Sequence, residues 1–242
     1  MSVLVLNNRV KFSKKNDEVQ WLPVSDLMAG LMVIFLFVAI SYMRMVVVER
    51  DSIKNIVVAW ETTRKRVYQE LYNEFRYDLD KWNAQIIESD LSVRFNEPEV
   101  LFEQGKTDLQ QRFKEILDDF FPRYIKCINL FIEEETQGST IEEIRIEGHT
   151  SSEWNNNVDS AEAYFNNMWL SQGRTRSVLQ YCYSLKGCQN YGWLKRKIAA
   201  VGYSSSHLVF DEITLQEDKE KSRRVIFRVK TTVEKQLMKV IE

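Results

Sequence analysis

The sequence predicts an α+β protein built from a single N-terminal transmembrane helix, a helical linker and an α/β sandwich domain. Three observations predict it. Residues Leu27 to Met43, LMAGLMVIFLFVAISYM, contain no charged side chain. Between Ile53 and Ile86 apolar residues recur about every 3.5 positions, the spacing of a seam along a helix. After Ser89 short stretches alternate apolar and charged residues, as half-buried strands do, with helical stretches between them. The boundaries that follow are a cytoplasmic tail over 1–20, a membrane helix over 21–43, a linker and dimerisation segment over 44–89 and a globular domain over 90–242.

With Trp21 to Asp26 in front of it, the uncharged run reaches the ~20 residues that a bilayer crossing needs. Trp21 and Tyr42 flank it as interfacial aromatics do. A buried helix of a soluble domain and a cleaved signal peptide, with Ala39 and Ser41 as its small residues, are competing readings. Arg9, Lys11, Lys14 and Lys15 precede the run, while Arg44, Arg50 and Lys54 follow it amid Glu49 and Asp51, a bias towards a cytoplasmic N-terminus. Asp26 lies roughly one and a half turns beyond Trp21. Taking a carboxylate out of water favours its neutral form, so a group placed there can accept and release an ion. The alternative is that Asp26 caps the helix at the headgroups, behind Pro23 and Ser25.

The seam consists of Ile53, Ile56, Val57, Trp60, Val67, Leu71, Phe75, Leu79, Trp82 and Ile86, with no Gly or Pro to interrupt it. It predicts a helix that pairs with a second copy, or else one that docks on its own domain. In the domain, LSVRF from Leu91 and EVLFEQG after Pro98 read as strands, and Leu109 to Phe131 as a helix. A strand over Ile141 to Ile146, a polar loop over Ser152 to Asn166, a helix starting near Ser171 and strands from Lys197 and Arg223 complete the order.

Composition narrows the function. Of 242 residues 44% are hydrophobic, as in an ordered chain, and 33 basic against 35 acidic residues leave a formal charge of -2. No global field draws phosphate backbones, so a nucleic-acid partner is not expected. Three cysteines and two histidines without ligand spacing predict no metal site. Cys182 and Cys188 can pair as a disulfide or stay reduced, and Cys127 is a third candidate. No nucleophile elbow or phosphate-binding loop is present, so no enzymatic activity is expected.

Residues 21–43, WLPVSDLMAGLMVIFLFVAISYM, resemble the membrane helix of MotB-type stator subunits, in which an aspartate follows a short polar entry and precedes an apolar run. Within that class they look most like the membrane subunits of Zorya anti-phage defence. The resemblance implies an inner-membrane motor subunit that works as a homodimer, with a MotA- or ZorA-like membrane partner, five around two, enclosing it. It further implies that Asp26 carries H+ or Na+, with no resident cofactor.

Residues from about Leu91 to Thr232 resemble the OmpA-like peptidoglycan-binding family. The strand ending Gly148-His149-Thr150-Ser151, then Asn167, Leu170, Ser171 and Arg174, then Arg223-Arg224-Val225, occur in the family's order. The resemblance implies that Thr150, Ser151, Asn167, Leu170, Ser171, Arg174 and Arg223 form a wall-binding site in a periplasmic domain. A guanidinium at the N-terminal turn of a helix, as expected for Arg174, suits a carboxylate of the wall peptide. Ser151 departs from the family, which has an aspartate there. Glu153 and Asp159, in the polar loop, are the acids available to replace it. Two rivals are a passive wall anchor, in which Asp26 is only a cap, and a force-transmitting subunit of the ExbD and TolR kind, which also places an aspartate early in one span but lacks the arginine pattern.

Overall fold

The computed structural model describes residues 17–96, 98–133, 140–154 and 159–232. The expected basic tail, with Arg9, Lys11, Lys14 and Lys15, lies outside them. The chain divides into two units, Met1–Lys54 and Asn55–Glu242, and one helix, α1 (Asp17–Phe75), contributes to both. In the first unit every described side chain from Val24 to Ser52 is exposed, Leu27 and Phe37 each at 73%. The helix is long and apolar enough there to cross a membrane. Because α1 begins at Asp17, Asp26 lies within the helix and does not cap it.

The second unit orders its elements as β1 (Ala84–Ile87), β2 (Ser92–Phe95), α2 (Pro98–Leu101), α3 (Gln111–Glu133), β3 (Ile141–His149), α4 (Ser160–Ser184), α5 (Leu194–Lys197), β4 (Ile198–Gly202), α6 (Lys219–Ser222) and β5 (Arg224–Thr231). A single 3-10 turn, Cys188–Asn190, lies between α4 and α5. The sheet order is β1-β2-β5-β3-β4; only β3 and β4 run parallel, the crossover between them being α4. Alternation along the strands sends Val93, Phe95, Ile144, Ile146, Val225, Phe227 and Val229 into the core. The intervening Arg94, Arg145, Glu147 and Arg228 form a charged opposite face, on which Asp90 meets both Arg94 (2.9 Å) and Arg228 (3.2 Å). Phe120 of α3 centres the aromatic cluster, with ring centroids 5.0 Å from Phe95 and from Phe227 and 5.1 Å from Phe75.

The structure corrects three of the expectations and decides two readings left open. The linker helix stops at Phe75, and residues 84–87 are a strand paired with β2. Leu79, Trp82 and Ile86 kept helical spacing because a turn, followed by a strand that starts after Asn83 (φ 45°), also points them inward. Val67, Leu71 and Phe75 are buried in the domain's own core, so for this part of the seam docking is the outcome. The segment after Pro98 is α2 and a turn at Gly105 (φ 70°), since the consecutive residues Leu101 and Phe102 are both buried, which one face of a strand does not allow.

The helix expected near Ser171 begins at Ser160, capped by Asp159, whose carboxylate accepts from Glu162 N at 2.8 Å. Its inward face carries Asn167, Ser171, Arg174 and Thr175, polar residues that hide the helical period from a hydrophobicity reading. Of the two open readings for the cysteines, all three are buried and free, so the reduced form is the one present. Burial pushes the thiol of Cys182 well above its ordinary range and raises that of Cys188.

Candidate functional site

Two glycines set where α4 lies. A Cβ on Gly148 would come within 2.9 Å of Ser171 O, and one on Gly202 within 2.5 Å of Gln172 N, so the backbone of α4 rests directly on the ends of β3 and β4. Ser171 fixes the contact. Its hydroxyl donates to Met168 O (3.0 Å) and accepts from Ser204 N (3.1 Å), just past β4.

Beside this contact opens a cleft of about 360 Å³. The chain leaving β3 forms one wall with Thr150, Ser151, Glu153 and Trp154; α4 contributes Asn167, Leu170 and Arg174; the turn after α2 adds Phe102, Gln104 and Gly105; and Arg223 stands at the start of β5. Six of the seven wall-site residues expected from sequence therefore meet here. The seventh, Ser171, is buried behind the cleft and braces it.

Asn167 acts as a clasp, its amide donating to Ser151 O (3.2 Å) and Glu153 O (3.1 Å). Arg174 is 9% exposed and sits in the middle of α4, not in its first turn, so backbone amides of a helix N-terminus do not assist it. Its guanidinium lies 4.8 Å over the Phe102 ring and donates to Lys106 O (3.0 Å) and Glu103 O (3.3 Å). These bonds fix the plane of the group. Burial, reinforced by the charge of Arg223, lowers the Arg174 pKa to about 10, and it stays cationic at neutral pH.

Neither acid proposed to replace the family aspartate is free for that task. Asp159 is spent as the cap of α4, and Glu153 is paired with Lys219. Ser152 is tied down as well, its N and its hydroxyl both donating to Glu217. Sequence reasoning missed Phe102, Trp154 and the Glu217 and Lys219 brace. Gly105 was the available signal, because a glycine amid polar residues marks the turn whose carbonyls orient Arg174.

Asp26 is the other candidate. It is exposed on α1, with Leu27 (73% exposed) and Met28 (63%) beside it.

A family model described as the OmpA family matches residues 101–223. The Zorya protein ZorB of Escherichia coli (strain Crooks) is 48% identical to this chain over 230 residues, covering 95% of each. Among solved structures, a MotB-like protein from Desulfovibrio vulgaris is 18% identical, with TM-score 0.49, covering 74% of this chain and 94% of its own. The cell-wall anchor of the type VI secretion system from Pseudomonas aeruginosa is 15% identical, with TM-score 0.44, covering 66% and 96%.

Proposed function

This chain belongs to the Zorya ZorB family and, over residues 101–223, to the OmpA family, and from that premise we propose that it is the wall-anchored, ion-carrying subunit of an inner-membrane motor serving anti-phage defence. The observation that carries this reading is Asp26, the only charged residue between Val24 and Met43, on a stretch of helix whose side chains have no protein cover. Exposed apolar side chains of this density need lipid or another protein around them. A carboxylate among them is costly unless it faces a polar path or becomes neutral.

The partner supplies that path. Two copies of this chain stand inside a MotA- or ZorA-like ring of five, joined in part by Ile53, Ile56, Val57 and Trp60, which the single chain leaves partly exposed. Binding of H+ or Na+ neutralises Asp26 and changes which partner surface it prefers; release restores the charge. A membrane potential contributes about 2.3 kcal/mol per charge per 100 mV, the scale needed to move a partly solvated carboxylate between environments. The OmpA-family domain, on the periplasmic side, holds peptidoglycan through the Arg174 cleft and keeps this subunit from turning with its partner. The N-terminus is then cytoplasmic.

Asp26→Asn tests the reading in cells carrying the complete defence system, scored by phage plating efficiency and by co-purification with the membrane partner. The variant is expected to lose protection entirely while still assembling, and Asp26→Glu to retain part of it. Full protection by Asp26→Asn would leave the chain a passive anchor.

A further inference from the structure

The cleft holds more positive charge than its own acids neutralise. Arg223 and Arg224 are neighbours in sequence with opposite fates. Arg224 is spent inside the domain, donating to Ser222 O (2.8 Å) and His207 O (3.1 Å). Arg223 lines the cleft, and its Nε is buried without a hydrogen-bond partner. The acids nearby have cations of their own: Glu153 pairs with Lys219, and Glu103 with Lys106. Glu217 is not among the residues lining the cleft and accepts from Ser152. Two guanidiniums thus face the same space, close enough that Arg223 helps depress the pKa of Arg174.

Their neutral neighbours complete the pattern. Thr150 Oγ1 is buried, lines the cleft and has no partner, and Ser151 beside it is uncharged. One ligand carboxylate would match one guanidinium and leave the other uncompensated in a partly desolvated cleft, which is unfavourable. Two carboxylates match both, with the Thr150 hydroxyl free to donate to one of them. An ammonium on the ligand would meet two like charges, and the one carboxylate in the lining, Glu153, is already paired with Lys219.

Resting on the wall-binding reading above, we propose that Arg174 and Arg223 form a two-guanidinium seat selecting a stem peptide that presents two free carboxylates, with no contribution from the ligand's amine. Arg223 is the specificity-determining member, because Arg174 is already oriented by backbone carbonyls.

The test uses the full chain in detergent and soluble muropeptides in three forms: both stem carboxylates free, one amidated, and the amine acetylated. Loss of one charge-assisted contact corresponds to roughly tenfold or more in affinity. Amidation is expected to weaken binding by that factor and acetylation by less than twofold. Arg223→Gln is expected to bind the dicarboxylate as weakly as the native chain binds the amidated form, with little further loss on amidation. Arg223→Lys, which keeps the charge, should recover part of the affinity and so separate charge from folding. Equal binding of the amidated and free forms, or losses from amidation and Arg223→Gln that simply add, would overturn the two-guanidinium seat while leaving wall binding intact. Failure of the native chain to bind any muropeptide or whole sacculi would instead overturn the wall-binding reading itself.

Discussion

Asp26 and Arg174 are each a charged side chain on a long helix, and they differ in what surrounds them. Arg174 has its environment supplied by its own domain: an aromatic ring beneath it, two carbonyls in its plane and 9% exposure. Asp26 has none of this, since the side chains from Val24 to Ser52 are exposed in the single chain. A group oriented in advance binds its ligand without reorganising, whereas a group whose surroundings come from another protein acts only in an assembly. On the proposed function, the domain is a finished binding element and the span half of a site.

The largest expected effect breaks the comparison if it fails. Arg174→Ala in the purified full chain, with no membrane partner present, should lower sacculus binding by tenfold or more, because a prebuilt site needs only its own residues. Asp26→Asn in the same pull-down should bind as the native chain does. Equal loss in both variants would mean that the two regions are not independent.

A smaller effect concerns another covered ionisable group, on the charged face of the sheet. Burial holds His149 at about 4, below its ordinary 6.5, although Glu147 lies 3.5 Å away. Burial alone would raise Glu147, but its contacts with His149 and Arg228 hold it below its ordinary value. Between pH 6.5 and about 4 the unfolded chain takes up a proton on His149 that the folded domain refuses, so stability falls as pH drops through that window. Glu147, held below its ordinary 4.5, contributes stability that is lost in the same direction as pH falls under 4.5. Melting followed by tryptophan fluorescence should show a marked drop from pH 7 to 4.5, and His149→Phe, which cannot titrate, should flatten it.

Where the sequence was legible, a buried side alternated with a solvated one. Helix α3, the first part of β3 and the second half of β5 carry that contrast directly. Asp26 stood out because nothing else charged occurs near it. The first half of α4 was unreadable for the opposite reason, since Asn167, Ser171 and Thr175 face inward and hydrogen-bond there. Strand β1 was masked because inward-facing residues from a turn and a strand fell at helical intervals. The partners of Arg174 are backbone carbonyls 68 and 71 residues away along the chain, and no local pattern marks such atoms. Six cleft residues could be named from their order, but the support that makes them a site depends on long-range packing.

The smallest effect sharpens the comparison at the start of α4. That helix carries Asn167, Leu170 and Arg174 on successive turns, so the position of the cleft's inner wall depends on the helix register. Asp159 satisfies an otherwise unpaired amide in the first turn through its bond to Glu162 N. Replacing it by Ala should cost about 1 kcal/mol, which for a domain of this size lowers the melting temperature by roughly 2–4 °C. Arg174 lies four turns further on and keeps its own carbonyl contacts, so wall binding should change by less than twofold. A tenfold loss of binding from so small a loss of stability would show that the cleft is held by the register of α4 more than by the turn after α2, and that the domain's site is less rigid than its buried arginine implies.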